Sequence, residues 1–364
     1  MNNSTGQVSF LQVFMIIMLF NGLLSHVIVN PMLLDASGRD AWISVLLTAV
    51  PYVPWCVLLV YIMNKSGRQK LQPWLAERTS PLLSWLMLAP VILQLYMIGG
   101  MTIIQTSLWT VSNYLPATPQ FVLVIILVIV CHFSAKYGIN TIAIGAGILL
   151  PAVVCLGYFV SIANTSEKNW LLLKPFLEHG WEPAFKGMLY SGGAFVELSL
   201  LLLLQHQLKK KVRPWQVILL GLVLVYITLG PIVGAITEFG PLESAKQMVS
   251  PYEQWRLVTI GNYMEHVDFL SVFQWLAGAT VRISLAQFLL TDLIPFRKSE
   301  SRSRFLLAIT ISYLALAAAI SRYNTFYLNM FERYLEVSLF VTLFLTVTWA
   351  VIAWIAKPAK EGLT

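Results

Sequence analysis

A chain of 364 residues with 57% apolar and only 11% charged residues is far from the composition of a water-soluble domain, in which about a quarter of residues are charged because the surface must be solvated. Mean hydropathy is +0.72, and the apolar residues fall into more long runs than one buried core absorbs, each near the roughly 20 residues that cross a hydrocarbon layer. The net charge of +7 is scattered in short patches between those runs and not gathered on one face, which excludes a nucleic-acid partner and names the lipid bilayer as the solvent.

In chain order, the predicted spans cover about 10–34, 41–63, 82–112, 120–135, 139–163, 184–205, 215–237, 267–291, 305–321 and 334–356. The first reads as a retained span, because 1–8 carries no charge and no small-residue cleavage site follows. Cys56, Cys131 and Cys155 sit in three different apolar runs with no paired spacing, as packing thiols do. The connection 66–79 mixes basic residues with Leu71, Trp74 and Leu75 and predicts a short amphipathic helix on the inner surface. The connections 164–183 and 239–266 are acidic and rich in Trp, Tyr and Pro, suited to capping an entrance or to interfacial anchoring. One set of alternate connections holds most of the basic residues, among them Lys65, Arg68, Lys70, Arg78, Lys136, Lys209, Lys210, Lys211, Arg213, Arg297, Lys298, Lys357 and Lys360. The other set concentrates Asp35, Asp40, Glu167, Glu178, Glu182, Glu243, Glu253 and Glu265. By the positive-inside rule, both termini are expected in the cytoplasm.

Two spans carry helix-weakening residues at corresponding places. The first has Asn21, Gly22, Ser25, His26, Asn30 and Pro31; the sixth has Tyr190, Ser191, Gly192, Gly193 and then Glu197. A helix that unwinds there exposes main-chain polar groups to a wet cavity or a ligand. Disturbed first and sixth spans mark a five-plus-five inverted repeat whose half-helix ends meet a small charged solute near the midplane, although glycines also serve ordinary helix packing. Glu197 and Arg282 lie inside apolar surroundings, where a charge costs at least about 2.5 kcal/mol on the insertion scale. Either they pair with each other, or Arg282 offers its planar fork to a ligand carboxylate. His26 is either a ligand group or a satisfied core histidine. The sequence contains no G-x-S-x-G, H-E-x-x-H, phosphate loop or Cys/His cluster, so neither an enzyme, a metal site nor a cofactor is expected.

Several strings carry a family resemblance. Asn30-Pro31 is followed by Ala36-Ser37-Gly38-Arg39-Asp40-Ala41-Trp42-Ile43-Ser44; Tyr137-Gly138-Ile139 precedes the fifth span; Glu197 is followed by Lys209-Lys210-Lys211; Phe239-Gly240-Pro241-Leu242-Glu243 follows the seventh; and Trp275 precedes Arg282 in the eighth. Collinear over essentially the whole chain, they resemble the spore germination receptor B-subunit family, also called spore permeases. The resemblance implies an all-α integral membrane fold like that of the amino acid–polyamine–organocation transporters: a single transmembrane domain of about ten helices in a LeuT-like inverted repeat, with repeat one at about 10–163 and repeat two at about 184–321. It further implies a nutrient-sensing subunit in the endospore inner membrane, with an A subunit and a lipoprotein C subunit as partners and a small germinant, usually an amino acid, as ligand. Carried over by position, the resemblance points to Leu24, Ser25, His26, Tyr96, Gly100, Gly192, Gly193, Ala194 and Arg282; with Gly22, Ser191 and Glu197 from the disturbed spans, these are the expected ligand-binding residues. Two departures stand out: the Gly-x-Gly of many members reads Leu24-Ser25-His26 here, and a basic residue early in the fifth helix is Ile144. A secondary amino acid transporter and a membrane scaffold with a vestigial pocket are the alternative functions.

Overall fold

The computed structural model describes residues 7–259, 266–320 and 324–355, with the side chains of 320 and 324–329 excepted. Glu265, Lys357 and Lys360 lie outside the described residues. The described elements are helices of α, 3-10 or π pitch, and nine of the stretches are long and apolar enough to cross a membrane. The first of these, Phe10–Lys65, is 56 residues long and contains two spans: Gly38, at φ +52°, takes a backbone conformation that costs a residue with a Cβ, and the chain reverses there. Ten spans result among the described residues, with ends within a few residues of those expected for most. Ser9 starts span one with a reciprocal cap to Gln12, and Ser80 caps span three ahead of Pro81.

Spans two and seven, three and eight, and four and nine pack directly on one another. Span one packs on span five, and five places further along span six packs on span ten. Spans four and five face outward over much of their length; Ile144, for example, is 62% exposed. Spans six and eight are the most enclosed.

Neither span one nor span six is a uniform α-helix, and neither is unwound. Span one runs Phe10–Leu23, passes through a π turn at Leu24–Ile28 closed by Val29 N–H to Leu24 C=O (2.9 Å), and resumes as Asn30–Ser37. Pro31 explains the change of pitch, since it has no N–H for the carbonyl four residues earlier and its ring crowds that carbonyl. The Asn30 side chain compensates by donating to His26 C=O at 2.8 Å. Span six runs Glu182–Phe195, tightens to 3-10 pitch over Val196–Leu200, and ends through Leu201–Leu204 and the turn Gln205–Gln207.

The basic and acidic connections separate to opposite ends. At the basic end Val8 pairs with Leu208, and Lys70 and His206 both reach Asp292. The expected connecting helix forms at Leu71–Arg78, but Leu71, Trp74 and Leu75 are buried against the protein, chiefly span three, and do not face lipid. At the acidic end the two long connections fold over the bundle: Asn169 N–H donates to Thr237 C=O (2.9 Å), Gln254 to Pro231 C=O (2.8 Å) and Asn164 to Gln254 C=O (2.7 Å). The three cysteines are free; Cys56 and Cys131 are buried, whereas Cys155 is exposed.

Small residues govern the packing of spans six and ten. A Cβ at Gly193 would land on the Leu335 main-chain carbonyl, and one at Gly192 would press on the Leu339 side chain. Gly193→Ala is therefore expected to force the two spans apart and to cost about 1–3 kcal/mol, as overpacking does. A lowered melting temperature in detergent tests this against Gly230→Ala, at which a Cβ would meet open space and which is expected to melt as wild type.

Candidate functional site

The two disturbed spans meet at a buried ion pair. Arg282 of span eight and Glu197 of span six are 1% and 0% exposed by side chain, and their forks engage through Nη1–Oε2 at 2.6 Å and Nη2–Oε1 at 2.7 Å. Arg282 Nη1 also donates to Phe20 C=O (2.9 Å) and Nε to Thr102 Oγ1 (3.2 Å), so at least four of its five N–H donors are used. Its guanidinium lies over the Phe20 ring, 4.6 Å from the centroid. On the other side, the Tyr334 hydroxyl of span ten donates to Glu197 Oε1 at 2.8 Å.

The change of pitch in span one supplies one of these partners. Leu24 N–H bonds to Asn21 C=O, one residue short of its α-helical acceptor, and the Phe20 carbonyl thus left over accepts from Arg282. Asn21 joins the two disturbed helices by donating from its side chain to Ala194 C=O at 2.7 Å, and its carbonyl oxygen Oδ1 receives Ser25 Oγ at 2.6 Å. Spans one, three, six, eight and ten thus converge on one charged contact.

The expected site residues divide into two groups. Ala194, Glu197 and Arg282 come together, with Ser25 behind Asn21. The others face different neighbours. His26 Nδ1 is 2.8 Å from Ile227 C=O in span seven; Pro231 cannot donate to that carbonyl, so His26 carries its proton on Nδ1 and fills the vacancy. Gly22 also faces Ile227, and Leu24 is fully buried. Tyr96 donates to Ser312 Oγ (3.0 Å) and packs on Tyr313, and Gly100 abuts Leu316, so both address span nine. Ser191 shares a 2.6 Å hydrogen bond with Thr48 of span two, while Gly192 and Gly193 face span ten. Phe20, Asn21, Thr102 and Tyr334 join the site without having been among its expected members. Pro31 signals that span one is disturbed, but nothing local marks Tyr334.

Near the pair, spans three, six and ten enclose a void of about 10 Å³ lined by Gln94, Ser199, Thr342 and Trp349 among others, space for about one water. The interior around Arg282 is closely filled by the protein's own groups.

The profile of the spore germination protein (spore permease) family matches residues 7–327. The chain belongs to that family. It is 39% identical over 356 residues to spore germination protein XB of Bacillus anthracis, covering 98% of this chain and all of that one. Among solved structures it resembles the manganese transporter of Eremococcus coleocola. One mutant form of that transporter superposes with a TM-score of 0.53 at 12% identity over 96% of this chain and 82% of that one, and a second mutant form gives 0.53 at 13% over the same shares. This spore permease therefore has a transporter-like fold.

The pair is expected to behave as a unit. Replacing only Glu197 by Leu or only Arg282 by Met strands a buried charge and should cost about 3–5 kcal/mol. The double replacement should cost less than the sum, and Tyr334→Phe about 1.5–3 kcal/mol. A double-mutant cycle on unfolding in detergent measures this coupling, and additive losses would contradict it.

Proposed function

We propose that this spore permease is the nutrient-sensing subunit of a spore germination receptor and binds a small amino acid beside Arg282. The ligand carboxylate competes with Glu197 for the guanidinium fork. One observation carries this reading: among the described residues, the contact that joins all five converging spans is a fork-to-fork carboxylate bond, and a second carboxylate is the chemical group that replaces such a partner like for like. Glu197, displaced, keeps Tyr334 as a donor. Because spans one and six both depart from α pitch beside the pair, exchanging its partner favours a different arrangement of the two spans. Differential affinity for that arrangement is the signal passed on. The A subunit and the lipoprotein C subunit receive it in the endospore inner membrane. The basic end and both termini face the cytoplasm, in keeping with the charge distribution.

A secondary active amino acid transporter is the second reading, favoured by the likeness to the manganese transporter fold. Sensing and transport use the same residues around Arg282 and part at the outcome. In proteoliposomes with an imposed proton or sodium gradient, the sensing reading expects no accumulation of a radiolabelled mixture of neutral amino acids; accumulation would replace it with transport. Arg282→Lys keeps the charge and loses the fork, so spores carrying it should need roughly tenfold more amino acid to germinate, with the subunit still inserted. An unchanged dose response would remove Arg282 from the site.

A further inference from the structure

A second cavity lies at the acidic end, between the last turn of span three, the helix Ser250–Arg256 and the approach to span eight. Its volume is about 590 Å³, and Ser112, Asn113, Tyr252, Arg256, His266 and Asp268 contribute to its walls, within the size range of small-molecule sites. Among the described residues it holds one carboxylate, Asp268, and one guanidinium, Arg256, from different elements. Asp268 is fixed in place: the Tyr114 hydroxyl lies 2.8 Å from its main-chain oxygen and 3.1 Å from Oδ2, and the Tyr252 hydroxyl 3.5 Å from Oδ2. Burial pushes both phenols above the ordinary tyrosine range, so both remain O–H donors. These contacts leave Oδ1 unengaged among the described residues. Arg256, itself exposed, holds Glu253 of its own helix through Nη1 (3.0 Å), and Nη2 has no hydrogen-bond partner there among the described residues.

Behind the Tyr252 wall lies a buried aromatic cluster. Trp109 of span three stacks on Trp275 of span eight at 4.2 Å, nearly parallel, and both Tyr114 and Tyr252 meet Trp109 edge-on at 5.5 Å. Trp109 Nε1 is buried without a hydrogen-bond partner among the described residues. Below this cluster, Trp275 Nε1 donates to Thr106 Oγ1 (3.0 Å), and one turn deeper Thr102 holds Arg282. Asp268 lies two residues ahead of span eight, and within that span Trp275 and Arg282 are seven residues apart, about 10 Å. Cavity, aromatic cluster and ion pair therefore follow one another toward the bundle interior.

We propose that this cavity is a separate vestibular site for a zwitterionic α-amino acid, with its ammonium at Asp268 beside the Tyr252 ring and its carboxylate at Arg256. A fixed anion opposite a cation recognises both ends of a zwitterion, whereas a sugar or nucleoside leaves the two charges unmatched. The cavity is larger than one small amino acid, so water shares it and binding is weak. The inference rests on the reading that this protein receives amino acids, but it assigns them a different place from Arg282.

Saturation-transfer NMR on the full chain in nanodiscs tests it, with a mixture of neutral L-amino acids as probe and propionate, ethylamine, glucose and inosine as comparisons. The amino acids should show transfer and the half-molecules much less. Asp268→Asn and Arg256→Gln should each weaken amino acid binding roughly tenfold, while Glu243→Gln, an exposed acid at the same end, should not. Arg256 is exposed, so R256Q keeps the test valid if D268N disturbs the tyrosines. Wild-type binding in both D268N and R256Q would overturn the vestibular site, and if Arg282→Lys then loses binding the ion-pair reading survives alone. Equal transfer to glucose or inosine, or none to amino acids on the wild type, would also overturn it.

Discussion

A guanidinium and a carboxylate held inside a bundle surrounded by lipid impose the strictest condition on this protein. Removing each ion from water costs several kcal/mol after relaxation, and their attraction offsets this only if geometry is good and remaining donors and acceptors are met. Arg282 and Glu197 satisfy the condition by drawing partners from five spans. Apolar replacement of such a pair is often as stable or more so, so its significance is positional: it fixes which faces of spans one, three, six, eight and ten turn inward. Lipid is as apolar as the helix surfaces, so burial alone does not choose those faces.

The same economy explains why the disturbed helices sit beside the pair. A carbonyl released from a helix in lipid needs another donor, and here two of three such donors come from another span. Phe20 C=O finds Arg282, Ile227 C=O finds His26, and His26 C=O finds Asn30. Pro231 creates the need at Ile227, four residues earlier, and Pro31, at the π pitch of this turn, the need at His26, five residues earlier, because neither proline has an N–H. The breaks in pitch are thus cross-braces as well as interruptions, and Asn21 extends the bracing from span one to span six.

The sequence revealed where helices are disturbed more readily than which neighbour they face. Apolar run lengths located the ten spans, and Pro31 with Asn21 located the first disturbance. Tyr96 and Gly100, however, were expected at the ligand but pack on span nine. At 100° per residue they lie roughly 120° around span three from Thr102 and Thr106, and only the fold shows which side meets Arg282. Gly192 and Gly193 read equally as a break or as a packing surface; close approach by span ten makes them the latter. Tyr334 was missed because tyrosine is ordinary near the ends of membrane helices, and its acceptor is 137 residues away. The Arg282–Glu197 contact was legible as one of two alternatives, since two opposite charges in an apolar interior need partners.

The two halves of span six are held by different forces, and this decides which half yields when the contact at Glu197 changes. At the basic end, Asp292 ties Lys70 (2.9 Å) and His206 (2.8 Å), Gln205 bonds to Ser66 and to Gln69 C=O, and Val8 bonds to both Gln207 and Lys209. At the acidic end, the helix Glu182–Phe195 is held by neutral hydroxyl contacts, Ser37 to Pro183 C=O and Thr48 with Ser191, and by glycine faces against spans two and ten. Charge-assisted bonds are roughly twice as strong as neutral ones; the Asp292 carboxylate of span eight supplies one to the basic half at His206, and neutral bonds add ties to Val8, Ser66 and Gln69. Smooth glycine surfaces resist crowding but offer few directional bonds against sliding. A rearrangement that begins at Glu197 therefore meets less resistance toward the acidic end. That is also the end of the bundle at which the cavity of about 590 Å³ lies, so the half of span six with fewer directional bonds is the half on the side of that cavity.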